Sequence, residues 1–356
     1  MLEGFTALDL TDGKGQFAGR ILRDLGMRVI KIEPPGGDPV RRLGPFKDGT
    51  RESLRFAFLN GGKESVTLDV FSDDGREQLL RLAEDADVLL ESYAPGTLDY
   101  ELFRERNPQL VMASITGFGQ TGPHASWLAP DIVGVATGGL MYLSGDPSLP
   151  PVRPPETQAY YYASVFAVYA VLLALYSGKG CWIDTSMQEA IATQEHTIRE
   201  AAFDGTPIVR NGSQHKHAAP ANIFPCKDGH VFLFVLAAKH WEGFLELWHD
   251  HPVELDDPDL KPPHHRRAQI AMINPLVEGF TRRYTKAELT TLLQEHGIPC
   301  LPVNSPQDFL AEEQIRQRDF LGEVSSPELG DYLVPRFPAL FDGERPPAAG
   351  PPPRLA

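Results

Sequence analysis

The sequence predicts an α/β protein: a parallel β-sheet with helices on both faces, joined to a smaller α+β domain. Two observations carry this. The first half alternates short apolar, strand-like runs with amphipathic helical segments, the pattern of consecutive βαβ units. After Phe203 that alternation stops and gives way to a polar loop, a hairpin and a group of helices. The expected division is 1–205 for the large domain and 206–303 for the small one. Residues 304–356 then return to the large domain and end in a proline-rich tail.

In chain order, Phe5–Leu10 reads as a strand, Gln16–Leu25 as a helix and Met27–Glu33 as a second strand. Ser65–Val70, Asp87–Tyr93 and Leu110–Thr116 are further strands. Between them, Gly75–Ala86 places Leu79, Leu80, Leu82 and Ala83 on one helical face. Right-handed crossovers put the loops that follow these strands along one sheet edge, where such sheets bind ligands. Ala159–Tyr176 then runs for 18 residues without a charge, the length at which a membrane span has to be considered. Its tyrosines are scattered rather than gathered at the ends, and no Lys/Arg cluster flanks it, so it reads as a buried core helix. Gly178-Lys179-Gly180 ends it, and Cys181–Thr185 is a strand.

Farther on, Asp204–Pro220 is a polar loop and Asn222–Ala238 a hairpin turning at Lys227-Asp228-Gly229. Helices are expected at His240–Trp248, Arg266–Tyr284, Lys286–His296 and Pro306–Phe320, with a short strand at Cys300–Val303. The tail Arg345–Ala356 is expected to be extended or mobile.

Composition limits the function. The net charge of −15 argues against nucleic acid as the main partner, because phosphate backbones need a basic field. Three widely spaced cysteines without a CxxC pair argue against a disulfide framework, and the N-terminus carries no secretion signal, so the cytoplasm is expected. The histidines lack acids or cysteines in a ligand spacing, so no metal is expected.

Five segments carry the candidate chemistry. Gly13-Lys14-Gly15-Gln16-Phe17-Ala18-Gly19 follows the first strand, and Glu33 ends the second. This approaches a dinucleotide fingerprint, with an alternative NAD(P)-binding reading, but its GxGxxxG spacing departs from that motif. A tight strand-to-helix turn also needs glycine without any nucleotide. Pro34-Pro35-Gly36-Gly37 then breaks regular structure and leads to Arg41 and Arg42, whose planar forks suit phosphate. Lys63 follows a glycine pair, Tyr93 ends one strand and Gln120 follows another.

This ordered set resembles the class III CoA-transferase family (CaiB/BaiF), the carnitine dehydratase-like group that contains formyl-CoA transferase and α-methylacyl-CoA racemase. The matching stretches are LDLTDGKGQFAGRILRDLGMRVIKIEPPGGDPVR, LNGGKESVTLD, ADVLLESYAPG, NPQLVMASITGFGQTGP, SGKGCWIDTSMQEA and HGIPCLPVNSPQDFLAEEQIRQRDF. The resemblance implies a Rossmann-like large domain, coenzyme A as ligand, an acyl thioester as substrate and an interlocked homodimer. It places Arg41, Lys63, Tyr93 and Gln120 where the family holds the nucleotide and pantetheine parts of CoA.

The departures concern the chemistry. The family's acyl-accepting aspartate corresponds to Tyr160, seven residues beyond Arg153. A phenol with an ordinary pKa near ~10 is a poor nucleophile at neutral pH. Sliding the match four places would bring Glu156 there, at the cost of the helix match. Racemase-type members pair a histidine with the aspartate equivalent to Asp131, and here that histidine is Pro130. Gly61, Glu64 and Ala94 replace the family's usual arginines. Tyr160 and Asp131 are thus the candidate catalytic residues. The implied function is CoA transfer between carboxylic acids or a modified reaction on acyl thioesters; the alternative is a non-catalytic partner subunit.

Overall fold

The computed structural model describes residues 1–194 and 208–356. The boundary expected at 205–206 and the opening of the Asp204–Pro220 loop lie outside the described residues. The chain forms two compact units: Met1–Tyr142, Arg153–Ile208 and Glu313–Ala356 make the first, Leu143–Val152 and Val209–Glu312 the second.

The first unit is built on six parallel strands: β1 (Thr6–Leu10), β2 (Arg28–Glu33), β3 (Glu64–Thr67), β4 (Val88–Glu91), β5 (Val111–Thr116) and β6 (Cys181–Ser186). Their order is β3-β2-β1-β4-β5-β6, with Leu8 of β1 facing Ile30 on one side and Leu89 on the other. β4 and β5 are buried along their whole lengths, which is why they read as continuous apolar runs rather than alternating ones. The helices are α1 (Gln16–Asp24), α2 (Leu54–Asn60), α3 (Asp73–Glu84), α4 (Tyr100–Arg106), α5 (Asp131–Thr137), α6 (Leu140–Leu143), α7 (Gln158–Ser177) and α8 (Met187–Ala192).

Both sheet faces are covered, as expected. On one, Leu22 of α1 and Ala163, Ala167 and Val171 of α7 pack over Val29, Leu90 and Ala113. On the other, Leu79, Leu80 and Ala83 of α3 and Phe103 of α4 pack over Leu8, Ile32 and Met112. α3 begins where it does because the Ser72 hydroxyl accepts the Gly75 N–H, while Asp73 and Asp74 complement the positive end of the helix dipole.

The strand order reverses between β1 and β4, which opens a crevice beyond their carboxyl ends. The two loops there are tied together: Ser92 Oγ accepts the Asp12 N–H at 2.8 Å and donates to Asp12 Oδ1 at 3.0 Å.

α7 has the length and hydropathy of a membrane span. In the structure its Ala159, Ala163, Ala167 and Val171 are fully buried, a row of small side chains that lets it lie close to the sheet. Tyr162, Tyr169, Leu173 and Tyr176 on other sides of the helix are exposed. Gly178, with φ +66°, ends the helix in the left-handed conformation that glycine adopts most readily.

Two expected single helices are broken. Arg266–Tyr284 is divided into Pro263–Ala268 and Ile270–Thr281, because the buried Arg266 donates to the carbonyls of Ala219, Leu260, Lys261, Val235 and Leu236 and anchors the first piece separately. Pro306–Phe320 is divided into Pro306–Ala311 and Glu313–Gln317 by the extended backbone of Glu312. In the second unit, β7 (Ala221–Cys226), β8 (Gly229–Phe234) and β9 (Cys300–Pro302) form an antiparallel sheet. Trp241, Phe244, Val277 and Leu293 pack in the same core as its Phe224, Val231 and Leu233.

The proline-rich tail is extended and bonded to the first unit. Pro351 O accepts the Gly62 N–H at 2.8 Å, and Pro353 O accepts from Arg41 at 2.9 Å.

Candidate active site

At the start of α7 the first unit holds a cavity of about 400 Å³ whose wall includes Gly13, Phe17, Pro130, Asp131, Tyr160 and Tyr161. The glycine loop after β1 forms part of that wall, and a Cβ on Gly13 would meet the Tyr160 ring at 3.7 Å, an ordinary contact. The aromatic ring therefore lies against the turn that would carry the pyrophosphate in a dinucleotide enzyme. Glu33, the acid needed for a ribose, is fully buried with both oxygens engaged by Arg41 and with Ser65 donating to Oε1 at 2.6 Å. Neither feature suits a nicotinamide nucleotide.

Asp131 and Tyr160 come together through two helix starts. Gly134 of α5 faces Ala159 of α7 so closely that a Cβ on Gly134 would lie 2.9 Å from the Ala159 methyl. This approach lets Asp131 Oδ1 accept the N–H groups of Ala159 at 2.7 Å and Tyr160 at 3.2 Å. Asp131 thus caps α7 from another helix, a task its own N-cap Thr157 leaves undone. The other carboxylate oxygen, Oδ2, is buried without a hydrogen-bond partner. Burial raises the Asp131 pKa, against the two amides and the nearby Arg153 and Arg55. Burial likewise pushes the half-buried Tyr160 phenol above its ordinary value, so it is a hydrogen-bond donor at neutral pH and not a phenolate.

The remaining candidates fall into two groups. Arg41 is held by Glu33 at 2.6 and 2.7 Å, and its guanidinium lies 3.9 Å from the centre of the Phe56 ring. Lys63 is fully buried and donates to Asp9 Oδ2 at 2.7 Å, Asn60 Oδ1 at 2.9 Å and Gln16 O at 3.0 Å. All three donors of its ammonium are thereby engaged, and burial pulls its pKa down to about 8. Lys31, equally buried, bridges Asp38 at 3.1 Å and approaches Asp9 at 3.8 Å, so the two lysines and two aspartates lock the loops after β1 and β2 from beneath.

Tyr93 and Gln120 are linked by Glu91, which the sequence reading passed over. Glu91 accepts the Tyr93 N–H at 2.6 Å, and the Gln120 side-chain amide approaches its other oxygen at 3.5 Å. Burial pushes Glu91 up to about 7, with Asp184 adding to the shift against hydrogen bonds from Ser114 and Tyr93. Asp184 accepts the Gln120 N–H at 2.9 and 3.1 Å, which fixes that loop to β6.

Arg55 and Arg153 also line the cavity, and neither was singled out as a site residue from sequence. The signal available for Arg55 was its position inside the otherwise uncharged helical stretch Leu54–Asn60. Glu156 does not reach the cavity wall; it is exposed, and its carboxylate lies 3.6 Å from Arg55. Of the residues expected to stand in place of family arginines, Gly61 lies against the tail carbonyl of Gly350 and Glu64 pairs with Arg28 at 2.7 Å. Among the described residues, no group of three or more His, Cys, Asp or Glu side chains is placed to hold a metal ion.

Comparison with known proteins agrees with this architecture. The chain is 32% identical to the succinyl-CoA:(R)-benzylsuccinate CoA-transferase subunit BbsE of Thauera aromatica, over 95% of this chain and 87% of the relative. It is 31% identical to the succinyl-CoA:mesaconate CoA-transferase of Haloarcula marismortui, over 94% of this chain and 88% of the relative. A crystal structure of a CaiB/BaiF family protein from Brucella suis superposes with a TM-score of 0.87 and 29% identity, covering 99% of this chain and 96% of that one. With residues 2–356 matched by the model for CoA-transferase family III, the chain belongs to that family.

Proposed function

We propose that this protein binds an acyl-CoA thioester and moves CoA between carboxylic acids, with Tyr160 assisting as a hydrogen-bond donor instead of attacking as a nucleophile. The observation that carries this reading is the cavity at the start of α7, where a protonated phenol and a buried carboxylate line the same wall. The acceptor carboxylate attacks the thioester carbonyl, the C–S bond breaks and the CoA thiolate is held nearby. The thiolate then attacks the acceptor carbonyl of the mixed anhydride and releases the donor acid. Tyr160 donates to the oxyanion that develops in each step, the kind of contact worth several kcal/mol in a shielded site. Asp131 holds the first turn of α7, and thereby Tyr160, in place.

Arg41, Tyr93 and Gln120 would meet the nucleotide and pantetheine portions along the crevice, with Lys63 supporting the loops from below. An interlocked homodimer fits the exposed apolar residues Tyr162, Tyr169, Leu173 and Tyr176 of α7. Three free cysteines suit a reducing cytoplasm.

The test is incubation with succinyl-CoA and a panel of carboxylic acids, following new acyl-CoA by chromatography and trapping acyl-enzyme with hydroxylamine. New thioesters without a hydroxamate on the chain are expected. A hydroxamate at Asp131 would replace the direct route by a covalent one, and a wild-type chain that binds no CoA would overturn the reading. The second reading is a partner subunit, favoured by the missing carboxyl group at Tyr160 and by one relative being named as a subunit. Co-purification of an active homologous chain supports it.

A further inference from the structure

Four charged residues line the cavity: Asp12, Asp131, Arg55 and Arg153. The two arginines come from separate elements. Arg55 lies on α2, beside the buried Phe56 and Leu59, and is itself half-buried; Arg153 lies on the approach to α7. Both converge on Glu156: an Arg55 nitrogen is 3.6 Å from Glu156 Oε2, and Arg153 donates to the Glu156 carbonyl at 3.2 Å.

The backbone of Glu156 is unusual. Its φ of +56° places a non-glycine residue in the left-handed region, a conformation that has to be held by its surroundings. Its side chain is 69% exposed and the pair with Arg55 is long, so the carboxylate is loosely held.

We infer that Arg55 and Arg153 form an anion-recognition element for the acyl group, selecting thioesters whose acyl chain ends in a carboxylate, and that such a substrate replaces the contact Arg55 makes with Glu156 outside the cavity wall. The inference rests on the acyl-CoA reading and deepens it. A carboxylate brought into the cavity meets a guanidinium already shielded on one side by the α2 core, where a charge-assisted contact is stronger than the solvent-facing one to Glu156. An uncharged acyl chain of the same length gains nothing from the arginines. Arg55 and Arg153 are therefore specificity residues, distinct from the Tyr160 and Asp131 machinery.

The experiment is calorimetric titration of the full chain with succinyl-CoA, butyryl-CoA and CoA, in the wild type and in Arg55→Gln, Arg55→Lys, Arg153→Gln and Glu156→Gln. The wild type is expected to bind succinyl-CoA roughly tenfold or more tightly than butyryl-CoA, the scale of one charge-assisted hydrogen bond. Arg55→Gln and Arg153→Gln should each reduce that ratio to within about threefold through loss of the same contact, while CoA affinity, which reports folding, stays at the wild-type value. Arg55→Lys should keep part of the ratio. Glu156→Gln should tighten succinyl-CoA and leave butyryl-CoA unchanged. Equal wild-type binding of both thioesters, or equal losses for both in Arg55→Gln, overturns the inference while leaving the acyl-CoA reading intact. Failure of CoA and both thioesters to bind overturns the two together.

Discussion

The Asp131 carboxylate accepts the backbone N–H of Tyr160 at 3.2 Å, so Tyr160 at the start of α7 is seated by an acid from a different helix. Removing that seat has two separable effects. Asp131→Ala leaves the first turn of α7 uncapped and is expected to lower unfolding free energy by about 1 kcal/mol in urea titration. Turnover should fall more than tenfold. Asp131→Asn retains an acceptor oxygen, so stability should return while turnover recovers only in part.

Tyr160→Phe keeps the ring against Gly13 and removes only the hydroxyl. If the phenol stabilises the developing oxyanion, kcat should fall by roughly a hundredfold with KM nearly unchanged, because the contact strengthens in the transition state. Steady-state kinetics with succinyl-CoA measures the split. An unchanged kcat removes Tyr160 from the mechanism.

Gly134→Ala tests the approach of α5 to α7. The new methyl would lie 2.9 Å from the Ala159 side chain, closer than two carbons settle, so one helix has to shift. A loss of about 1–3 kcal/mol from overpacking is expected, reduced by the better helix propensity of alanine. Turnover should fall with it, since Asp131 and Tyr160 are carried on the two helices that separate. Thermal melts alongside kinetics give both values.

Lys63→Met removes a buried ammonium that neutralises Asp9 at 2.7 Å. Breaking one side of such a pair costs about 3–5 kcal/mol, because the remaining charge stays buried with poorer compensation. Adding Asp9→Asn should restore part of that loss, which a double-mutant cycle in denaturant reads directly. If Lys63 instead contacts phosphate, CoA affinity will fall without comparable loss of stability.

Glu91 predicts the direction of a pH effect. Its folded pKa is raised to about 7 from the ordinary value of 4.5, so between those values the folded state holds more proton than the unfolded chain. Stability from this group is therefore greatest below about pH 4.5 and declines as pH rises through 7, by roughly 3 kcal/mol in all. Glu91→Gln should flatten that part of the stability-against-pH profile. Chemical denaturation at pH 5 and pH 8 supplies the comparison.

Much of the fold was legible in local sequence. Strand and helix periodicities are short-range properties, so β1, α1, β2, β4 and β5 fall within a residue or two of their expected bounds. The divisions at Gln269 and Glu312 were not legible, because each follows from how a segment is anchored and not from its pattern. Glu91 likewise looked like one more strand residue until β4 and β5 and their loops enclosed it.

The sequence by itself determined the parallel α/β architecture and the family, because these are matters of residue order and periodicity. Tertiary structure alone decided the tasks of the charged residues. Lys63, which the resemblance sets among the groups that hold CoA, is enclosed by Asp9, Gln16 and Asn60. Arg55, which local sequence did not single out, lines the cavity with Arg153, about a hundred residues away in the chain. Burial and the meeting of distant groups set electrostatic strength, and neither is a property of sequence neighbours.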